Sequence, residues 1–478
     1  MKLLSVVLLV GACCVSCRLR STPRAFSAAS TFPSPRLLVL TDIGGDPDDE
    51  QALVRLLVNN DQFRIEGLVA SAAGTPGETA DGTRPDLIHK YIDGYAKVYA
   101  NLSQHSAAFA SPGALRAVVK SGNPLRGRVN VGEGHDTEGS RWIVAKVDES
   151  KELLHIAVWG GSTELAQALH FVQRHRSPEQ VKSFVSRLRV HAIDHQDDSG
   201  PWINETFPDL FYVLDVVDPS PRTVNGAKID RRPSVYRGMY LSGDESLTSL
   251  AWLNENVRTG HGALGAMYPP RTWTAPNPYG AMKEGDTPSW FYFLRNGLQD
   301  SEKPSWGGWG GRFSDPRAGD GGAVFRDAKD KVGDTENAQV TVSRWRQAFQ
   351  NAFAARMDWC VLPRNQANHE PHVLVDGHKD NHVMRRTAHA GETLAFDASQ
   401  SRDPDGQPLS YLWWVYPEAG TFQGPIDLLG AQTPRVSLAV PVSASGKQIH
   451  IILEVTDAGN PALTAYQRIV VDVAEGGG

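Results

Sequence analysis

Residues 37–57, LLVLTDIGGDPDDEQALVRLL, constrain the chain more than any other segment. Four apolar residues, Leu37 to Leu40, lead through Thr41 into Asp42, Asp46, Asp48 and Asp49, and an apolar helical pattern follows at once. So apolar a run reads as a strand buried on both faces, as parallel sheets require. It empties into a turn where Gly44 and Gly45 permit tight backbone. Four carboxylates within eight residues repel one another. A hard cation is the simplest neutraliser, and carboxylates with backbone oxygens are natural ligands of calcium. Helix capping and pairing with Arg or Lys would account for one or two of these acids, not for four beside a buried strand.

The following sequence repeats the strand-then-helix rhythm. Residues 50–59 form a helical pattern with apolar Ala52, Leu53, Leu56 and Leu57, and either Asp48 or Asp49 can cap it. Residues 63–70 read as strand, 85–99 as helix, 153–159 as a buried strand, 164–172 as helix and 184–193 as strand. This alternation predicts an α/β fold, an open and mostly parallel sheet flanked by helices, over residues 35–365. Ligands of such sheets bind beyond the carboxyl ends of the strands. Asp42, the Gly160-Gly161 turn and Asp194-His195-Gln196-Asp197-Asp198 all fall at such ends and should converge on one crevice.

Residues 255–325 are irregular and carry Trp273, Trp290, Trp306 and Trp309, which either stack on sugar rings or cap the core. A helix over 342–357 closes this domain. Residues 367–475 change texture, with strands at 392–398, 410–415, 435–440, 448–455 and 466–473 and no helical period. That pattern predicts a small all-β, immunoglobulin-like sandwich. Trp413 and Trp414 point to opposite faces of one strand, so one belongs to the core and the other is exposed or covered by the partner domain.

Composition narrows the function. The 478 residues allow two or three domains, and 41% hydrophobic with 21% charged residues describe globular protein. A net charge of -6 without a basic stripe excludes a nucleic-acid footprint. Lys2 precedes the apolar residues 3–12, placing a signal peptide and linker in 1–30. Val10-Gly11-Ala12-Cys13 looks like a lipoprotein cleavage box, with membrane attachment through lipidated Cys13. Cleavage near Ala28 or Ala29 is the rival. The expected location is secreted, periplasmic or on the outer surface. Cys13, Cys14 and Cys17 lie in this leader, and Cys360 alone remains for the body. One cysteine makes neither an internal disulfide nor a thiolate zinc cluster.

The acidic turn resembles the N-terminal signature of nucleoside hydrolases, of Asp-x-Gly-x-Asp-Asp type. The chain as a whole is similar to nucleoside hydrolase-like proteins described as cellulose-binding. In that family a hydrolase-like domain precedes an immunoglobulin-like module of the polycystic-kidney type. TDIGGDPDDEQA, GEGHDTEGS at 132–140, WGGSTELAQAL at 159–169 and KEGDTPSWFYFL at 283–294 carry the first likeness. GETLAFD at 391–397, SRDPDG at 401–406 and LSYLWW at 409–414 carry the second.

The resemblance implies roles. Asp42 would bind calcium and act as base toward the attacking water. Asp49 and Asp286 would be further metal ligands, together with the backbone carbonyl of Trp159. Asp48 and Asn204 would contact sugar hydroxyls. Two departures stand out. Asp46-Pro47 lengthens the turn, which offers Asp46 as an extra ligand or substrate contact. The family's histidine before the late aspartate is Gly285 here. Its proton would come instead from His135, which has Asp136 and Glu138 nearby, or from His195. Glu138, Asp197 and Glu284 are alternatives for protonating the leaving oxygen, and Trp273 for stacking on substrate.

These features favour a secreted, calcium-dependent glycoside hydrolase acting on a cell-wall or other extracellular carbohydrate by water attack at the anomeric carbon. The alternatives are a nucleoside N-ribohydrolase, which Gly285 disfavours, and a non-catalytic carbohydrate-binding protein.

Overall fold

Strand β1 (Arg36–Thr41) is buried along its whole length. In this computed structural model it splits two cores: Leu37 and Val39 face one, Leu38 and Leu40 the other. Residues 34–73, 82–215, 223–224, 227–228, 234–275, 280–316, 323–378 and 381–475 are described. The leader at 1–30, with Cys13, lies outside the described residues.

Around β1 the chain lays down β2 (Arg64–Ala70), β3 (Val119–Ser121), β4 (Leu154–Val158), β5 (Leu188–Ile193) and β6 (Phe211–Asp215). A hairpin, β7 (Thr223–Val224) and β8 (Ala227–Lys228), precedes β9 (Phe313–Ser314) and β10 (Val324–Asp327). The sheet order is β3-β2-β1-β4-β5-β6-β10-β9. Every pair is parallel except β9 with β10. The helices α1 (Asp48–Leu57), α2 (Pro85–His105), α3 (Pro112–Ala117), α4 (Glu138–Glu149), α5 (Thr163–His175), α6 (Pro178–Val185) and α7 (Ser199–Thr206) alternate with the strands. Strand order reverses between β1 and β4, which opens the crevice beyond their carboxyl ends.

The strand expected over 184–193 is shorter. Phe184 and Val185 end α6, which starts at a capping box where Ser177 accepts from the Gln180 amide and Gln180 accepts from the Ser177 amide. Val181, Phe184 and Val185 then follow helical spacing, and β5 begins at Leu188. Short helices α8 (Leu250–Leu253), α9 (Gly262–Ala266) and α10 (Thr287–Phe291) and a hairpin, β11 (Asp330–Val332) with β12 (Thr335–Asn337), fill the irregular region. The closing helix is two pieces, α11 (Val340–Ser343) and α12 (Arg346–Asp358), with Trp345 as the cap between them. No helix of the described residues is long and apolar enough to cross a membrane.

The C-terminal region is a sandwich. One sheet runs β13 (Met384–Ala388), β19 (Thr464–Val473), β18 (Gln448–Thr456), β15 (Ser410–Val415), and the other β14 (Thr393–Asp397), β17 (Arg435–Ala439), β16 (Leu428–Leu429). Trp413 is buried in its core, whereas Trp414 lies 5.6 Å from Trp345 of the α/β domain. Asp330, fully buried, accepts from Arg312 at 2.7 Å, Arg344 at 2.9 Å and the Tyr416 hydroxyl. Arg344 lies over the Tyr416 ring at 4.3 Å. Arg468 of β19 reaches into the α/β domain and donates to the carbonyls of Leu298 at 2.5 Å and Gly307 at 3.0 Å.

Candidate functional site

Gly44 turns the chain out of β1 with φ +103°, and a Cβ there would meet Arg84 Cγ at 2.8 Å. Thr41 ties strand to helix by donating to Asp49 Oδ1 at 2.5 Å. The expected aspartate cap is replaced by Pro47, which makes no side-chain cap bond because it has no donor or acceptor to offer. Asp48, Asp49 and Glu50 occupy the first turn of α1, where the helix dipole favours acids.

Asp286 arrives from the far side as the residue before α10, its own carbonyl accepting from Ser289 Oγ at 2.6 Å. One oxygen each of Asp48, Asp49 and Asp286 lie within 4.8 Å of one another, all three residues buried. Asp286 Oδ2 is buried with no hydrogen-bond partner. Burial pushes the carboxyls of Asp49 and Asp286 well above the usual range, and neighbouring aspartates push them further. Burial also raises Asp48 to about 7, although the Lys283 ammonium at 2.7 Å opposes it.

Asp42 is raised by burial against the opposing charge of Arg126, whose Nη2 sits 3.1 Å from Asp42 Oδ2. Gly160 is required here, since a Cβ would lie 2.5 Å from Asp42 Cγ. A Cβ on Gly161 would lie 2.3 Å from Asp197 Oδ2, so this glycine pair passes between Asp42 and Asp197. The Trp159 carbonyl, just beyond β4, accepts from Gln196 Nε2 at 2.5 Å, and the Trp159 indole donates to Ser289 Oγ at 3.0 Å. The three strand ends anticipated from sequence thus meet around β1 and β4.

Asp46 is placed differently from the other acids. It accepts from the Trp273 amide at 2.5 Å, from the Thr274 hydroxyl and from Lys283 Nζ at 2.8 Å. Burial acts to raise its pKa, but Lys283 and these bonds prevail and lower it. Trp273 is 59% exposed, while Trp290, Trp306 and Trp309 are buried as core caps.

Other candidates stand apart. His135 is exposed on the loop before α4, and Glu138 accepts from the Ser121 amide at 3.2 Å beside Lys120. That places Glu138 at β3, two strands and so about 10 Å from β1. Asp136 accepts from Gln167 at 2.6 Å. His195 faces Asn204 Nδ2 at 3.3 Å, and burial lowers its pKa to about 4, so it is neutral near pH 7. His195 donates its amide to Asp194 Oδ1 at 2.8 Å, away from the Asp48, Asp49 and Asp286 cluster. Glu284 is fully buried in an ion pair with Arg55 at 2.5 Å and accepts from Tyr268 at 2.6 Å, so it belongs to an internal network.

Sequence reasoning missed Lys283, Arg126 and Gln196. Lys283 stands inside the KEGDTPSWFYFL motif and a search for cations facing the acids would have found it. Arg126 and Gln196 carry no local pattern.

A family model described as "Cellulose-binding Sde182, nucleoside hydrolase-like domain" matches residues 36–313, and "Cellulose-binding protein Sde0182, C-terminal domain" matches 393–473. A solved structure of a nucleoside hydrolase-related hypothetical protein from Saccharophagus degradans, associated with carbohydrate metabolism, is 33% identical. The match covers 92% of this chain and 100% of that one, with a TM-score of 0.77. The plant nucleoside hydrolase PpNRh1 is 12% identical over 68% of this chain and 99% of its own, with a TM-score of 0.34. The PKD domain of KIAA 1837 is 21% identical over 20% of this chain and 85% of its own, with a TM-score of 0.15. No curated protein matches the chain. From residue 36 into the sandwich, the chain belongs to the Sde182 cellulose-binding family with a nucleoside hydrolase-like domain.

Proposed function

We propose that the protein is an exported, calcium-dependent hydrolase of glycosidic bonds in an extracellular carbohydrate. The carrying observation is the convergence of the Asp48, Asp49 and Asp286 carboxylates beside Asp42, with Asp286 Oδ2 lacking a partner. Five buried carboxylates, counting Asp42 and Asp46, face only Lys283 and Arg126 as ion-pair partners among the described residues. The oxygen-only donor set fits a hard cation. Asp42, Asp49, Asp286 and the Trp159 carbonyl would hold it. Bound there, calcium would supply Lewis-acid polarisation of a water and of sugar hydroxyls.

The chain's own groups then do the rest. Arg126 fixes Asp42 through Oδ2, and Asp42 takes a proton from water as that water attacks the anomeric carbon. The surrounding carboxylates stabilise the positive charge that develops on the ring. Asp48 is placed to accept from sugar hydroxyls. The crevice offers Asp197 as the acid for the leaving oxygen, from the other side of the Gly160-Gly161 turn.

A second reading has its own support. Arg126 occupies Asp42 Oδ2, and the matched family is described as cellulose-binding. A binding protein without turnover is the outcome those two facts favour. Nucleosides are disfavoured by Gly285, where a Cβ would already lie 3.1 Å from Asp48 Oδ2.

The experiment compares product release from oligosaccharides and nucleosides, with calcium and with chelator, for wild type and Asp42→Asn. Chelator-sensitive sugar release lost in Asp42→Asn supports the hydrolase. Glycan binding without release, unchanged in Asp42→Asn, refutes it in favour of the binding protein. Release from nucleosides alone refutes the carbohydrate substrate.

A further inference from the structure

We infer that Asp46 is a positioning residue that holds Trp273 as a stacking platform for pyranose rings at the mouth of the acidic crevice. This rests on the carbohydrate reading above and adds where the chain of sugar lies. Asp46 is one of the two residues that lengthen the acidic turn. A carboxylate has about four acceptor sites, and Asp46 fills them inward: the Trp273 amide at 2.5 Å, the Thr274 amide at 3.4 Å, the Thr274 hydroxyl and Lys283 Nζ at 2.8 Å. Oδ2 takes three of these bonds and Oδ1 the Trp273 amide, so most of the carboxylate is spent on the loop.

The loop is tied at its base as well. Gln51 of α1 donates to the carbonyls of Pro269 at 2.9 Å and Ala281 at 2.8 Å, and the Thr272 amide donates to Gly280 at 2.6 Å. The acidic turn and the first turn of α1 that follows it thus grip the residue bearing the indole and the base of its loop. Lys283 extends the line to Asp48 at 2.7 Å, so the Trp273 backbone lies three polar contacts from the Asp48, Asp49 and Asp286 cluster.

The indole itself is 59% exposed in a stretch whose other tryptophans are at most 8% exposed. Its backbone is hydrogen-bonded and more than half of the residue is exposed, which is the combination a preorganised platform needs. An indole face is electron-rich and attracts the axial C–H groups of a pyranose ring with equatorial hydroxyls. The ligand class is therefore a β-linked glucan-type chain, with one ring on Trp273 and a neighbouring linkage directed into the crevice.

The test titrates the full-length chain with cellohexaose in EGTA by calorimetry, and separately with terbium as a calcium stand-in by luminescence. Trp273→Ala should weaken cellohexaose binding by about tenfold, and Trp273→Phe should recover part of the loss. The wild-type-minus-Trp273→Phe fluorescence should respond to cellohexaose. Asp46→Ala should weaken cellohexaose like Trp273→Ala while reducing terbium affinity less than Asp49→Asn does. Asp46→Asn, which keeps the acceptor toward the Trp273 amide, should retain binding. Cellohexaose binding unchanged in Trp273→Ala overturns the platform and leaves the hydrolase standing. Terbium binding abolished in Asp46→Ala, as in Asp49→Asn, overturns the positioning role. A wild type that neither binds nor cleaves any oligosaccharide overturns the carbohydrate reading and the platform together.

Discussion

In the proposed site, protons and calcium would compete at the end of β1, and the Asp48 carboxyl beside the ligands would set how strongly. Its folded pKa is about 7, raised by burial from an ordinary 3.8. A carboxyl raised on folding favours the fold fully below its unfolded pKa and loses that contribution as pH rises through the folded one. Without calcium, the cluster therefore costs stability between pH 4 and 7. With calcium the sign would reverse, because a cation held by Asp49 and Asp286 would lie beside the Asp48 carboxyl and favour its ionised form. For one group titrating at about 7, calcium affinity should be roughly 70-fold weaker at pH 5 than at pH 7.5, about 2.5 kcal/mol. Calorimetry at pH 6.5 in buffers of different ionisation enthalpy should show about 0.8 proton released per calcium from Asp48 alone. Asp49 and Asp286, raised further, would add to that count. Asp48→Asn should flatten the profile in proportion. Calcium affinity equal at pH 5 and pH 7.5, with no proton release, would refute the placement of the cation among these carboxylates.

Other substitutions probe the frame. Gly160→Ala puts a Cβ 2.5 Å from Asp42 Cγ, so initial rates should fall by about 100-fold with little change in far-UV dichroism; an unaltered rate would detach Asp42 from catalysis. Asp330→Ala removes the shared acceptor of Arg312, Arg344 and Tyr416. It should lower the unfolding free energy in guanidinium by about 3 kcal/mol and separate the transitions of the two domains. A midpoint identical to wild type would show that the junction does not depend on this carboxylate.

The α/β plan was legible because β1 and β4 are apolar throughout and end abruptly in polar turns. The shorter β5 was not, since Phe184 and Val185 suit helix and strand equally and only the capping box upstream decides between them. Asp42, Asp49 and Asp286 could be picked out by motif; β1 and α1 bring the first two together, but the approach of Asp286 ahead of α10 follows from no strand end. For Asp46 the sequence shows an acid in an acidic turn, not that residues 227 and more positions later bring it four donors. Glu284 escaped likewise, its Arg55 partner lying 229 positions away. Strand β13, with two arginines in five residues, hides a half-buried edge that pairs in parallel with β19.

The reach of Arg468 has a further consequence. It grips Leu298 and Gly307, in the same stretch of chain that carries Lys283 and Asp286. The sandwich therefore braces the wall of the crevice from behind, whatever it does toward solvent. A chain cut at the domain boundary would expose Trp345, lose that brace and leave the segment carrying Lys283 and Asp286 to find its own conformation. Loss of activity on such a cut would report slackness in the crevice, and would be wrongly credited to a missing sugar-binding module.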